Sequence, residues 1–400
     1  MIELAKRIEK VEEYYFSKKL QEVRGLDSPG LPVINLGIGS PDQPPAPRVI
    51  EALQATAQLP GSHGYQPYKG IPGLGAAISS FYKRIYGFCP DPKKMVLPLM
   101  GSKEGIMHIS MAFVNEGDEV LVPDPGYPTY ASASQLVGAK VTTYDLDENN
   151  GWQIDVDELE KRDLSKVKIM WINSPHMPTG SVMAVAHMKR LVALARANRF
   201  LLVNDNPYGL ILNISPQSIF SIEGAEEVAL ELNSLSKSHN MPGWRIGWLV
   251  GGAAHVDAVL RVKSNMDSGM FLGIQQAAVE ALQQPDEWFE GLNHLYRQRR
   301  AKAFELLELL SCVFSRQQAG LFVWAKVPDS VPSVEAWIDS ILYGARVFIT
   351  PGFIFGKNGQ RYIRISLCAP IEKLQEAHDR ISAFKAQNFE KQELTKETIQ

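Results

Sequence analysis

The stretch Asn233-Ser234-Leu235-Ser236-Lys237-Ser238-His239-Asn240-Met241-Pro242-Gly243-Trp244-Arg245-Ile246-Gly247-Trp248 sets one lysine among three serines, directly after the apolar run Val228–Leu232. An arginine and two glycines follow it closely. Two readings fit these residues. Most lysines are exposed loop residues, because a charged amine is costly to bury. A lysine desolvated beside other cations instead loses its proton and can attack an aldehyde, as a Schiff-base lysine must. In that case Arg245 offers a bidentate fork for a phosphate dianion that Ser234 also hydrogen-bonds. On this stretch alone both readings stand.

Outward from it, short apolar runs alternate with longer amphipathic ones. Met95–Met100, Glu119–Val122, Lys140–Tyr144, Val167–Ile172, Phe200–Asn204, Val228–Leu232 and Ile246–Val250 are predicted strands, with helices such as Lys103–Val114 and Val185–Asn198 between them. This order predicts an α/β fold with a mainly parallel sheet covered on both faces. After about residue 285 the pattern changes to a long helix (Trp288–Leu310), strands at Leu321–Lys326, Arg346–Ile349 and Tyr362–Ser366, and helices at Val334–Tyr343 and Ile371–Phe384. That reads as a smaller α+β domain. The expected division is 1–45 (an N-terminal arm and part of the small domain), 46–290 (large domain) and 291–400 (small domain). Ile8, Val11 and Tyr15 give the arm a helical period over 1–24, and the polar tail from Lys385 reads as frayed.

Three further segments carry chemistry. Asp205-Asn206-Pro207-Tyr208 closes a very apolar strand, the place where open α/β sheets gather ligands. Asp205 reads either as a turn residue or as the acid that holds a pyridine nitrogen protonated. Gly101-Ser102-Lys103-Glu104-Gly105 opens a helix on small residues, either as a serine cap or as a phosphate cradle of backbone N–H groups. Asp124-Pro125-Gly126-Tyr127-Pro128-Thr129-Tyr130 is a rigid turn whose Tyr127 is a core aromatic or a stacking platform for a flat ring.

Together these segments resemble the class I/II aminotransferases of pyridoxal-phosphate (PLP) fold type I, over nearly the whole chain. The resemblance also rests on Asn35-Leu36-Gly37-Ile38-Gly39-Ser40-Pro41-Asp42, Tyr65-Gln66-Pro67-Tyr68-Lys69-Gly70, Ser174-Pro175-His176-Met177-Pro178-Thr179-Gly180 and Tyr362-Ile363-Arg364-Ile365-Ser366. Asn265-Met266-Asp267-Ser268-Gly269 leans towards the aspartate and LL-diaminopimelate branch. It implies a seven-stranded, mainly parallel sheet, PLP as cofactor, and a ping-pong amino transfer between an L-amino acid and a 2-oxo acid such as 2-oxoglutarate. It implies Lys237 as Schiff base and proton shuttle, Asp205 on the pyridine nitrogen and Tyr208 on the ring oxygen. Tyr127 would stack on the ring, and Ser102, Lys103, Ser234 and Arg245 would hold the phosphate. Asn173 would touch the cofactor, with Arg364 and Gly39 on the substrate carboxylate. Tyr65 would reach the phosphate of a neighbouring subunit, which implies a homodimer with shared sites.

One departure stands out. The family's usual asparagine before Pro-Thr-Gly is Met177 here, and a thioether cannot donate a hydrogen bond. Asn173 and His176 are the candidates to compensate. The departure leaves room for a PLP-dependent β-eliminating lyase on the same fold. A non-catalytic PLP-binding regulator would call for a DNA-binding appendage, which the sequence lacks.

Composition agrees with a globular enzyme: 400 residues, 45% apolar, 21% charged and net charge -3, which favours neither nucleic acid nor an acidic membrane. The basic run Arg297-Gln298-Arg299-Arg300 reads as solvated surface. The N-terminus lacks a signal-peptide core, and no apolar run reaches the roughly 20 residues of a membrane span. Cys89, Cys312 and Cys368 read as free, buried thiols in a reducing, cytoplasmic setting. Gly37-Ile38-Gly39 lacks the third glycine of a dinucleotide fingerprint, and no His-Glu-x-x-His or paired-cysteine spacing supports a metal.

Overall fold

The computed structural model describes residues 2–9, 15–28 and 30–397. In chain order the strands are β1 (Ile34–Asn35), β2 (Val96–Leu99), β3 (Glu119–Asp124), β4 (Lys140–Asp145), β5 (Val167–Asn173), β6 (Leu201–Asp205), β7 (Ala229–Ser234), β8 (Gly247–Gly251), β9 (Phe322–Lys326), β10 (Val347–Phe348), β11 (Thr350–Pro351) and β12 (Tyr362–Ser366). Seven of them form one sheet in the order β2-β8-β7-β6-β5-β3-β4, with only β8 antiparallel to its neighbours. The seven-stranded, mainly parallel α/β fold expected from the sequence is what the chain adopts. Its inner strands are buried on both faces, so they read as continuous apolar runs such as Ile169–Ile172 rather than alternating ones.

The parallel strands β3, β5, β6 and β7 all end on one edge of the sheet, at Asp124, Asn173, Asp205 and Ser234. Functional side chains therefore gather there without any loop having to travel far.

The C-terminal part is an antiparallel sheet, β11-β12-β9, packed under the helices Asp286–Leu309, Val334–Ala345 and Ile371–Glu397. β1 pairs with β10, so the N-terminal segment joins this part and carries Leu36–Asp42 back across the sheet edge. Asp42 is held there by Arg299, whose Nη1 and Nη2 donate to Oδ1 and Oδ2 at 2.7 and 2.8 Å. Burial alone would raise the Asp42 carboxyl, but the Arg299 fork outweighs it and holds the acid below its usual range. Arg299 is only 2% exposed. Replacing it with alanine removes a buried side chain together with its bonds to Asp42 and the Leu367 carbonyl, and we expect a loss of about 2 kcal/mol in urea unfolding.

Several sequence expectations change. Arg299 and the half-buried Arg300 are not solvated surface, because the helix Asp286–Leu309 turns them towards the seam between the two parts. Cys89 is exposed, whereas Cys312 and Cys368 are buried, and all three are free thiols. The last helix does not stop at Phe384 but runs to Glu397, as no glycine or proline interrupts a segment of strong helix formers. At the other end the arm is helical at Lys6–Glu9 and Tyr15–Leu26, the stretches of it that the structure describes as helix. Val11 lies outside the described residues.

Candidate active site

β7 runs out at Ser234, which caps a one-turn helix, Leu235–Ser238, by accepting the Ser236 N–H at 3.0 Å. That turn carries Lys237, whose Nζ donates to the Gly39 carbonyl on the returning N-terminal segment. Gly39 is glycine for a packing reason. A Cβ there would fall 2.2 Å from the Phe322 ring. Burial pushes the Lys237 amine below its ordinary range; Arg364 and Arg245 push the same way, against Cys368 and Asp205.

At the end of β6, Asp205 is buried. Tyr130 donates its hydroxyl to Asp205 Oδ2 at 2.7 Å, and Asn173 Nδ2 donates to the Asp205 main-chain carbonyl at 2.5 Å. Asp205 Oδ1 is buried with no hydrogen-bond partner among the described residues. Desolvation raises this carboxyl to about 6, with Tyr130 opposing the shift. A buried carboxylate oxygen without a donor calls for a cationic N–H, and a protonated pyridine nitrogen has that chemistry.

The third corner is the turn into the helix Ser102–Phe113. Gly101 has φ +91, and a Cβ on it would strike Arg245 Nη2 at 2.2 Å, so the guanidinium lies directly over the turn. Arg245 itself takes the left-handed conformation, with φ 56, and donates to the Pro242 carbonyl at 2.8 Å. Gly247 lets β8 lie close against this turn, since a Cβ on it would fall 2.7 Å from the Ser102 nitrogen. First-turn N–H groups, Arg245, Ser234 and Ser236 thus crowd one place suited to a dianion. Lys103 brings only its backbone, since its side chain is exposed.

Arg364, on β12, is buried between two phenylalanine rings, with its guanidinium carbon 3.9 Å from Phe322 and 4.7 Å from Phe355. Nη2 donates to the Gly37 carbonyl at 2.8 Å, and Nη1 points at Met177 Sδ at 3.2 Å. The residue that replaces the usual asparagine is therefore a soft acceptor for the carboxylate arginine. Neither proposed substitute takes over its donor role. Asn173 is engaged at both ends, its Oδ1 accepting the Met177 N–H at 2.7 Å. His176 turns its Nδ1 to Thr179 Oγ1 at 2.8 Å, and burial lowers it to about 3, so it stays neutral.

Tyr208 packs edge-on against Phe322 at 5.9 Å, and burial pushes its phenol above the ordinary range. Tyr127 packs edge-on against Tyr130 at 5.5 Å. Tyr65 stands apart from these residues, 91% exposed beside the 268–271 segment. Two contributors escaped the sequence reading. Ser236 lies 2.7 Å from Ser234, two positions along the quoted stretch. Tyr130, three residues after Tyr127 and hence on the same helical face, stacks on Trp171 at 5.0 Å while it braces Asp205.

The sequence matches the family described as aminotransferase class I and II over residues 32–381. It is 38% identical over 379 residues to an LL-diaminopimelate aminotransferase of Desulforudis audaxviator, covering 94% of this chain and 96% of that one. Apo-BacF from Bacillus subtilis superposes with a TM-score of 0.91 at 35% identity, over 96% of this chain and 98% of its own. A mutant aspartate aminotransferase of Thermus thermophilus gives 0.87 at 26% identity, over 96% and 100%. With a seven-stranded sheet of this order, a desolvated lysine beside a buried acid, and matches of this extent, the chain belongs to the class I and II aminotransferases, enzymes that work with pyridoxal 5'-phosphate.

Proposed function

We propose that this aminotransferase moves the amino group of an L-amino acid to a 2-oxo acid by a ping-pong route, with 2-oxoglutarate as acceptor and LL-diaminopimelate as the first donor to test. The observation that carries the site assignment is Asp205 Oδ1, buried without a partner within electrostatic reach of Lys237. The donor follows from the name of the relatives at 38% identity.

PLP, when bound, supplies an aldehyde for amine chemistry and a ring that accepts electron density from the substrate Cα. Lys237, Asp205, Tyr208, Tyr127, Ser102, Lys103, Ser234 and Arg245 would hold it, with Asn173 bracing the Asp205 main chain behind them. Asp205 keeps a proton at the ring nitrogen, and Tyr208 donates towards the ring oxygen. Arg364 grips the substrate α-carboxylate beside Gly39, which orients the Cα–H bond. Lys237 Nζ, whose proton affinity burial lowers, takes that proton as general base. The aromatic and apolar walls around Arg364 exclude water, so the carboxylate contact is strong.

We further read 46–290 as the PLP-binding domain, with 1–45 and 291–400 forming the smaller one. The exposure of Tyr65 suits a homodimer in which it reaches the neighbouring phosphate. No helix among the described residues is long and apolar enough to cross a membrane, and a cytoplasmic setting suits free thiols.

A panel of L-amino acids against 2-oxoglutarate, with half-reaction spectra, tests the reading. Pyruvate and ammonia released without an oxo-acid acceptor would make the chain a lyase instead. Met177→Asn restores a donor next to the carboxylate and still offers Arg364 an oxygen. A hydrogen bond to a charged group contributes about 1.5–3 kcal/mol, so we expect kcat/KM to rise roughly tenfold or more. Steady-state kinetics with the best donor checks it.

A further inference from the structure

A cavity of about 850 Å³ opens along the seam between the seven-stranded part and the C-terminal part. Its size is that of a small-molecule site. Lys237, Asp205, Arg245 and Arg364 are absent from its walls, which include Trp152, Gly180, Arg300, Arg316, Trp324 and Tyr362.

Charge across this cavity is unbalanced. The acid at its rim, Glu148, is already taken by Lys326 Nζ at 2.8 Å and the Tyr362 hydroxyl at 3.0 Å. Arg316 is paired with Glu308. Arg300 differs. Its Nη1 donates to the Gln318 carbonyl at 2.7 Å and its guanidinium carbon lies 5.9 Å over Phe304, but no carboxylate pairs with it among the described residues. Burial and the neighbouring Arg297 both lower its proton affinity, as expected of a desolvated cation without a counter-ion.

The aromatic wall is built at a cost. Trp152 has φ 61, a left-handed conformation that disfavours any side chain with a Cβ. It is held there by its own N–H on the Asp147 carbonyl at 2.7 Å and by Ser181 Oγ on its carbonyl at 3.1 Å. In that pose its indole meets Tyr362 edge-on at 5.0 Å and Trp324 at 6.0 Å, while Trp324 and Tyr362 stack at 5.1 Å. Backbone strain of this kind concentrates at functional sites.

The cavity also touches the turn that carries Met177. Arg300 holds the Gln318 carbonyl, and the next N–H, of Ala319, donates to the Gly180 carbonyl at 2.8 Å. Gly180 has φ +72, and a Cβ on it would meet Gln318 Cβ at 2.8 Å, so the turn and this peptide are keyed together.

We propose that the seam cavity is an effector site for a small aromatic carboxylate, its acid on Arg300 and its ring against Trp152, acting on the Met177–Gly180 turn and hence on Arg364. The probe is 4-bromobenzoate added to PLP-loaded enzyme, followed by calorimetry and tryptophan fluorescence. Because Arg364 also attracts carboxylates, binding is measured in Arg364→Leu. It should persist there and weaken about tenfold or more when Arg300→Met is added, the loss of one charge-assisted contact. Arg300→Met alone, measured against its own probe-free baseline, should abolish the part of the KM shift that the probe causes through this cavity. A crystal soaked with the probe should place bromine beside Trp152, which covers the case of a misfolded variant. Binding that vanishes in Arg364→Leu, binding that survives Arg300→Met, or kinetics with the same probe response in both enzymes would each overturn the proposal.

Discussion

Lys237→Ala is expected to lower amino transfer by roughly four orders of magnitude, since it removes the general base as well as the amine that engages the cofactor. The replacement should cost the fold nothing. In the wild type this desolvated amine donates to the Gly39 carbonyl and to no other acceptor among the described residues, with two guanidinium groups pushing against its charge. Removing such a group relieves strain stored for function, so the apo variant should unfold at an equal or higher urea concentration. Lys237→Arg should be as inactive as the alanine variant but less stable, because it buries a permanent cation that acts neither as base nor as nucleophile. Activity, the mass of borohydride-treated protein with PLP, and unfolding midpoints together decide the matter. An alanine variant that loses activity and stability in parallel would mean that Lys237 is a structural residue.

The sheet was legible because parallel strands buried on both faces leave an unmistakable trace. Val167–Ile172 and Phe200–Asn204 each lie within a residue of the observed bounds, β5 at Val167–Asn173 and β6 at Leu201–Asp205. The site was legible for a related reason. Strand ends bring Asp205 and Ser234 to one edge, so residues far apart in sequence are read as neighbours once the sheet is assumed. What escaped was whatever depends on side-chain direction. Nothing in the sequence says that Arg299 faces Asp42 across 257 positions, or that Arg300 faces a cavity. A helix carries its basic residues on all sides until its neighbours are known. The roles of Met177 and Asn173 were hidden likewise. One faces Arg364 and the other is consumed by the Asp205 and Met177 backbone, and only the folded turn decides which.

Asp205→Asn should lower turnover by about 10²–10³-fold, the usual consequence of deleting one charge that stabilises a transition state in a dry site. An amide still accepts a hydrogen bond but cannot balance a protonated ring nitrogen. The variant should retain PLP through Arg245 and the Ser102 turn, so the loss should fall on kcat rather than on cofactor content. A second signature distinguishes this acid from a structural one. In the apo protein the Asp205 carboxyl is raised to about 6 by burial, whereas the ordinary value is 3.8. Between those limits the folded chain holds a proton that the unfolded chain has released, so folding takes up a proton and stability falls as pH rises. The contribution is fully favourable below about pH 4 and lost above about pH 6. The buried neutral histidines His176 and His239, each lowered to about 3, act in the opposite sense, which makes the absolute profile of the wild type a poor test. The difference between wild type and Asp205→Asn removes them. That gap should shift by about 3 kcal/mol in favour of the variant from pH 4 to pH 7 in the apo proteins. PLP should then close it, because a ring N–H on Oδ1 stabilises the ionised carboxylate in the wild type alone. A gap that is flat with pH, or unmoved by PLP, would show that Asp205 carries no functional proton and that its burial only serves packing against Tyr130.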